Sequence, residues 1–382
     1  MPIHNPTIAT HDLVRPTHVE VNLTRLTENF NTIRNHVAPA KIMPILKANA
    51  YGHGLVDIAR HMEKIGADYI GVAVLEEGLL LRKSGIRMPI LVLGGVLGNQ
   101  VPEFLKNDLA ITAASMEILE EIDEAAARMD TKAKVHLKID TGMERIGVHY
   151  YNAEPFLKAA MQCKHVFVEG IFSHFANSDN TDLTHANLQV KRFRKVLDFY
   201  KENKATPPPM IHMANSGAIL QMPEAIFNTV RPGILLYGVY PNREIKRTLS
   251  VQPALTWKSR VVYFKVIRPS HPVGYGSTWQ TDHPVHAVTI PVGYGDGYFR
   301  SLSHKAGVLI RGKKYPVVGT ISMDQIVVNL EQDSAYSDDE VILIGEMDGE
   351  RITCEHLADW AGTIAYEVLT NINTRVPRIY VE

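Results

Sequence analysis

Cysteine is scarce in this chain of 382 residues: there are two, Cys163 and Cys354, neither with a partner at metal-ligand spacing. That excludes a disulfide scaffold and a cysteine-rich zinc site, predicts no metal, and suits a reducing compartment. Charge of either sign is not in excess. Lys plus Arg number 40 against 41 Asp plus Glu, so no bulk field draws the chain to nucleic acid or to an anionic membrane. No apolar run is long enough to span a bilayer. The opening segment, Met1 to Arg15, mixes Pro, His, Asn, Thr and Asp and lacks the apolar core of a signal peptide. Repeats, low-complexity tracts and a Gly-x-Gly-x-x-Gly helix start are also missing. These absences leave a chain long enough for two domains, with an ordinary hydrophobic share of 45% and an expected cytoplasmic location.

What is present is a rhythm. Short apolar runs recur at 42–46, 69–74, 90–94, 109–113, 135–139, 168–172, 210–213 and 229–236. They lack strict alternation, so each predicts a strand buried on both faces, as in a parallel sheet. Helical periods fill the gaps: Leu55, Ile58, Ala59, Met62 and Ile65; then Ile118, Leu119, Ile122 and Ala126; then Val190, Phe193, Leu197 and Tyr200. Eight strands alternating with helices predict a (β/α)8 TIM-like barrel over residues 1–245.

Beyond about residue 245 the texture becomes β-rich. Runs at 256–267, 287–292, 307–310, 315–321, 326–330 and 340–344 are separated by turn residues such as Gly-Tyr-Gly-Asp-Gly and Met-Asp-Gly-Glu. One helical stretch, Glu355–Trp360, precedes Tyr366. The expectation is a second, mainly antiparallel β domain over 246–382.

In a barrel, chemistry gathers at the C-terminal ends of the strands. Lys47 ends the first predicted strand. Lys138 and Asp140 end the fifth, with Arg145 just beyond; His174 ends the sixth, Ser216 the seventh, Arg231 and Gly233 the eighth. A lysine closing a buried strand is costly unless its pKa falls or its nitrogen is bonded covalently, and a desolvated lysine is the usual anchor for a carbonyl cofactor. Loops after the last two barrel strands often bind phosphate through backbone N–H groups and a hydroxyl, a role that Ser216 and Gly233 fit.

These residues lie in motifs that resemble alanine racemase: Lys-Ala-Asn-Ala-Tyr-Gly-His-Gly from Lys47, Lys-Ile-Asp-Thr-Gly-Met-Glu-Arg-Ile-Gly from Lys138, His-Met-Ala-Asn-Ser from His212, Val-Arg-Pro-Gly from Val230, Val-Gly-Tyr-Gly from Val273, Gly-Tyr-Gly-Asp-Gly, Ser-Met-Asp and Tyr-Glu-Val. The resemblance runs from about residue 17 to 380 in the family's order. It implies interconversion of L- and D-alanine with pyridoxal 5′-phosphate, supplying D-alanine for peptidoglycan. Lys47 would hold the cofactor and act as one base. Tyr275, from the partner subunit of a homodimer, would act from the opposite face. Arg231 would face the pyridine nitrogen with His212 behind it. Tyr51, Ser216, Gly233, Ile234 and Tyr366 would bind the phosphate, and His174 would pack near the ring. Arg145 and the Met323 backbone would hold the alanine carboxylate. Lys138 matches a lysine that CO2 modifies in many members, and Tyr294 and Ile364 match residues that narrow the entrance. The family usually has Ala at Gly295 and often Cys at Ser322. A serine-preferring or broader racemase of the same family is the alternative; a barrel-type decarboxylase is disfavoured, because Arg231 and Tyr275 stand where that group uses an acid and a cysteine.

Overall fold

The computed structural model describes residues 14–382, so most of the opening segment read above for a signal peptide lies outside the described residues. Strand β1 (His18–Asn22) comes first. Then follow β2 (Lys41–Ile42), β3 (Ile70–Val72), β4 (Ile90–Val92), β5 (Ala110–Ala113), β6 (Ala133–Asp140), β7 (Val148–His149), β8 (Val166–Phe172), β9 (Met210–His212) and β10 (Thr229–Val230). Two compact units separate: one holds residues 27–50 and 55–252, the other the residues up to Leu26, Tyr51–Gly54 and Pro253–Glu382.

In the first unit the order is β2-β10-β9-β8-β6-β5-β4-β3, with β7 paired to β6 and every pairing parallel. An isolated parallel bridge between Ile45 and Gly71 joins the ends of that order and curls the sheet closed. This is the expected (β/α)8 TIM-like barrel. The strands are buried: Ile42, Val72, Val92, Ile111, Val135, Leu137 and Ile139 are at most 1% exposed. Each contributes about 1.5–3 kcal/mol by leaving water. Several strands are shorter than their apolar runs predict, β2 and β10 among them. Pro44 and Pro232 have no N–H to add to a ladder, so the first run bridges again only at Ile45, and the last turns into a 3-10 segment at Ile234–Tyr237.

The second unit contains β1 and the remaining strands: β11 (Leu255–Arg260), β12 (Tyr263–Ile267), β13 (Val285–Ile290), β14 (Gly307–Ile310), β15 (Lys313–Val318), β16 (Ile326–Glu331), β17 (Glu340–Met347), β18 (Glu350–Ile352) and β19 (Arg378–Val381). Their order is β12-β13-β16-β15-β14-β17-β11-β1-β19, with β18 on β17; all pairings are antiparallel except β1 with β19. The run at 256–267, read as one strand, is two. The expected helical stretch at 355–360 is the helix Cys354–Ala361, and after Gly362 at φ 77° a second helix not expected, Ala365–Asn371, carries Tyr366. Among the described residues no helix is long and apolar enough to cross a membrane.

Candidate active site

Lys47 leaves the barrel on an unusual backbone. Ala48, Asn49, Ala50 and Tyr51 all take positive φ, between 52° and 56°. A left-handed residue with a side chain costs about 1–2 kcal/mol, so this turn is over-determined by its surroundings. Ala50 N–H donates to Leu46 O at 2.8 Å, Leu55 N–H to Asn49 Oδ1 at 2.9 Å, and Ala48 N–H to Glu77 Oε1 at 2.7 Å. Tyr237 Oη donates to Ile45 O at 3.0 Å, fixing the strand just before the lysine. Burial lowers the Lys47 pKa, and the positive charges of Arg145 and Arg231 lower it further against the opposing pull of Glu77.

Lys138 is 3% exposed, and its Nζ donates to Ile139 O at 3.0 Å. Burial first, then the Arg231 and Arg145 charges, bring its pKa down to about 7. Asp140, beside it, accepts from the backbone N–H groups of Gly142 at 2.7 Å, Met143 at 3.0 Å and Arg145 at 3.2 Å. This Asx turn sets where the chain places Arg145.

Arg231 is the centre of the buried polar web. Its Nη1 donates to His212 Nδ1 at 2.8 Å; its Nη2 donates to Ser173 O at 2.8 Å, Met213 O at 3.2 Å and His174 Nδ1 at 3.2 Å. Burial lowers its pKa to about 9. The same burial, with the Arg231 charge, holds both His174 and His212 well below the usual imidazole value, so both accept as neutral rings. The Phe172 ring stacks on His212 at 4.8 Å and 3°.

Beyond Arg231 the chain forms a cup. Ser216 Oγ accepts from Gly233 N–H at 2.9 Å and Leu235 N–H at 3.2 Å, and Ile234 between them is fully buried. Asn215 caps the short helix Ser216–Gln221 through Ala218 N–H at 3.1 Å and is itself held by Ser178 Oγ at 2.7 Å. A hydroxyl and converging amides at a helix start are the parts of an anion site.

The β-rich unit groups its own residues. The Tyr51 and Tyr366 rings meet at 6.1 Å, and Arg378 Nε donates to Gly52 O at 2.9 Å, tying that short insert to this unit. Tyr294 N–H donates to Ser322 O at 3.1 Å and Gly295 N–H to Met323 O at 2.9 Å, so the Tyr294 and Met323 loops are laced together. Thr278 Oγ1 lies 3.2 Å from Thr320 Oγ1, which brings the Tyr275 loop alongside. Tyr275 is 73% exposed, Met323 52% and Ile364 61%.

A family model described as alanine racemase, N-terminal domain, matches residues 21–241, and one described as alanine racemase, C-terminal domain, matches 254–380. The chain belongs to the alanine racemase family. An alanine racemase of Carboxydothermus hydrogenoformans is 42% identical over 96% of this chain and 100% of its own. Alanine racemase 2 of Caldanaerobacter subterraneus is 41% identical over 97% and 96%. A solved alanine racemase of Clostridium difficile 630 superposes with a TM-score of 0.91 at 37% identity, covering 97% of each chain. The enzyme is an isomerase that interconverts L- and D-alanine.

Several residues that sequence reasoning passed over hold this racemase's site together. Asp296, fully buried, is paired with Arg15 at 2.7 Å and Arg375 at 2.7 Å, and Arg375 reaches on to Asp324 at 2.8 Å and Met323 O at 3.3 Å. At Gly295 a Cβ would come within 2.7 Å of Arg375 Nη2 and 3.0 Å of Met323 O. An acid framed by three glycines was a signal for Asp296. Glu77, by contrast, is one acid among many on a helix and carries no sequence signal. His136 and Glu169 sit in apolar runs and gain meaning only from their neighbours in space.

Proposed function

We propose that this alanine racemase works with pyridoxal 5′-phosphate bound to Lys47 and with two bases, Lys47 and Tyr275, on opposite faces of the substrate. The observation that carries the reading is the barrel cluster itself. A strand-end lysine with a lowered pKa, a buried guanidinium and a hydroxyl–amide cup lie within one unit. That set matches an aldehyde, a pyridine nitrogen and a phosphate in turn, so the residues fit the cofactor. Bound pyridoxal phosphate supplies an electron sink that acidifies the α-hydrogen of alanine.

The residues do the rest. Ser216, Gly233 and Ile234 hold the phosphate together with Tyr51 and Tyr366. Arg231, still a cation at neutral pH, would face the ring nitrogen and leave it unprotonated, which would keep the sink weak and the chemistry confined to the α-proton. His174 packs beside the ring and His212 orients Arg231. Arg145 and the Met323 N–H bind the alanine carboxylate, and Tyr294 narrows the way in. A CO2 adduct on Lys138 places a negative charge by Arg145, where a second cation would repel it.

We further propose a homodimer with shared sites. The barrel unit, residues 27–50 and 55–252, would carry the cofactor, and the β-rich unit would supply Tyr275 and Met323 to the partner subunit. Support comes from the exposure of those two side chains in a single chain. A cytoplasmic location, supported by two free cysteines, completes the reading. The test of the cofactor assignment is borohydride reduction of the holoenzyme followed by peptide mapping. The pyridoxyl group is expected on Lys47, and a label on another lysine sinks the assignment.

A further inference from the structure

The web around Arg231 does not stop at His212. His212 Nε2 lies 2.9 Å from His136 Nδ1, and His136 Nε2 lies 3.6 Å from Glu169 Oε2. Tyr69 Oη donates to the same carboxylate oxygen at 2.7 Å. His136 and His212 are both fully buried, while Glu169 keeps 19% of its side chain in water. Two backbone features build this line. First, β6 and β8 slip register between Val135 and His136: Val135 faces Val168, but His136 faces Gly170, leaving Glu169 as the extra residue of a bulge. Bulges re-aim side chains, and here the carboxylate lies beside the imidazole. Second, Gly170 leaves room for the ring, since a Cβ there would fall 2.2 Å from His136 Nδ1.

A guanidinium only donates. His212 Nδ1 must therefore accept, which puts the His212 proton on Nε2. That proton goes to His136 Nδ1, so the His136 proton sits on Nε2, whose nearby acceptor is Glu169 Oε2 at 3.6 Å, just beyond direct hydrogen-bond distance. Arg231 thus sets the direction of the line at one end, and a carboxylate, which accepts, agrees with that direction at the other. The partners of Arg231 itself are neutral: two imidazoles and two carbonyls.

We infer that Glu169 is a positioning residue for racemisation: through His136 and His212 it fixes the tautomers that let Arg231 lie in its working place. The inference rests on the reading that Arg231 faces the cofactor ring. Glu169→Gln is the informative change, because an amide can present N–H groups to His136 Nε2. The line then reverses, and His212 Nδ1–H meets Arg231 N–H, donor against donor.

The experiment uses holoenzyme with 15N-labelled histidine. The two rings are recognised by scalar coupling across their shared N–H···N bond. Wild type should show both rings neutral with the proton on Nε2; a proton on Nδ1 of either ring overturns the inference even if no variant folds. Glu169→Gln should reverse both tautomers, shift the visible absorbance band of the bound cofactor, and lower kcat about 10–100-fold with little change in KM. Glu169→Asp, which keeps the carboxylate, should restore the wild-type tautomers. Unchanged tautomers in Glu169→Gln, or reversed tautomers with kcat and the band untouched, overturn it. Arg231→Lys separates the two levels. If that change moves band and kcat while Glu169→Gln does not, the relay alone is wrong; if it moves neither, the placement of Arg231 fails and the inference goes with it.

Discussion

At the scale of single residues the site is a problem in like charge. Burial lowers the proton affinity of Lys47 and Lys138, and the nearby Arg145 and Arg231 charges lower it further. Lys138 shows the consequence. With a pKa of about 7, much of its amine is neutral at neutral pH and is a nucleophile for CO2. The nitrogen lone pair bonds to the carbon, the ammonium proton is lost, and a carbamate remains. Uptake should therefore fall as pH drops below about 7, where the amine becomes protonated. A 13C resonance from labelled bicarbonate, present in wild type and missing in Lys138→Ala, checks this; no resonance at any pH rules the adduct out. Tyr275 makes the sharper prediction. Phe in its place keeps the ring and removes the phenol, so cofactor binding should survive while racemisation falls at least ~10²–10⁴-fold. The loss should be one-sided: solvent exchange of the α-hydrogen of D-alanine, the task of Lys47, should outlast that of L-alanine. Equal loss of both exchanges, with cofactor still bound, points to a single shuttling base.

Elements show what the sequence could and could not reveal. All eight barrel strands were legible, because burial on both faces leaves unbroken apolar runs. Their lengths were not, because Pro44 and Pro232 cut ladders whose apolar character continues past them. The five residues of β1 escaped notice: their partners, β11 and β19, lie hundreds of positions downstream, and no local pattern carries that information. Lys47 was legible as a strand-end cation, but its left-handed turn was not, since Ala and Tyr have no preference for positive φ. Asn49 is the exception, being a residue that tolerates this region, and its side chain caps Leu55 N–H. Asn49→Ala should therefore destabilise the fold by about 1–2 kcal/mol, the loss of a cap, read from the urea midpoint. It should also slow borohydride labelling of Lys47 by loosening the turn. An unchanged midpoint would mean that Glu77 and Leu46 alone hold the conformation.

The whole molecule raises the question of why the two proposed bases, which would act on one carbon, are carried so differently. Lys47 is partly buried on a strand end fixed from several sides, whereas Tyr275 is 73% exposed on a loop of the other unit. A proton acceptor has to be positioned to within hydrogen-bond reach of the atom it serves, and an exposed loop tyrosine in a lone chain is not so held. Its loop is nevertheless shaped: Gly274 and Thr278 pack on Thr320, next to the laced Ser322–Met323 segment that Arg375 and Asp296 secure. A surface built this firmly and left open fits a partner subunit, with each chain lending its tyrosine to the other's lysine. Mixing two inactive forms decides the matter. In a hybrid of Lys47→Ala and Tyr275→Phe chains, one site inherits both defects and the other inherits neither. With random exchange, about half the dimers are hybrids carrying one intact site, so activity should recover to roughly a quarter of the wild-type level, as follows from closed twofold symmetry. Recovery should track the hybrid fraction seen by native mass spectrometry. If hybrids form and stay inactive, both bases of each site come from one chain.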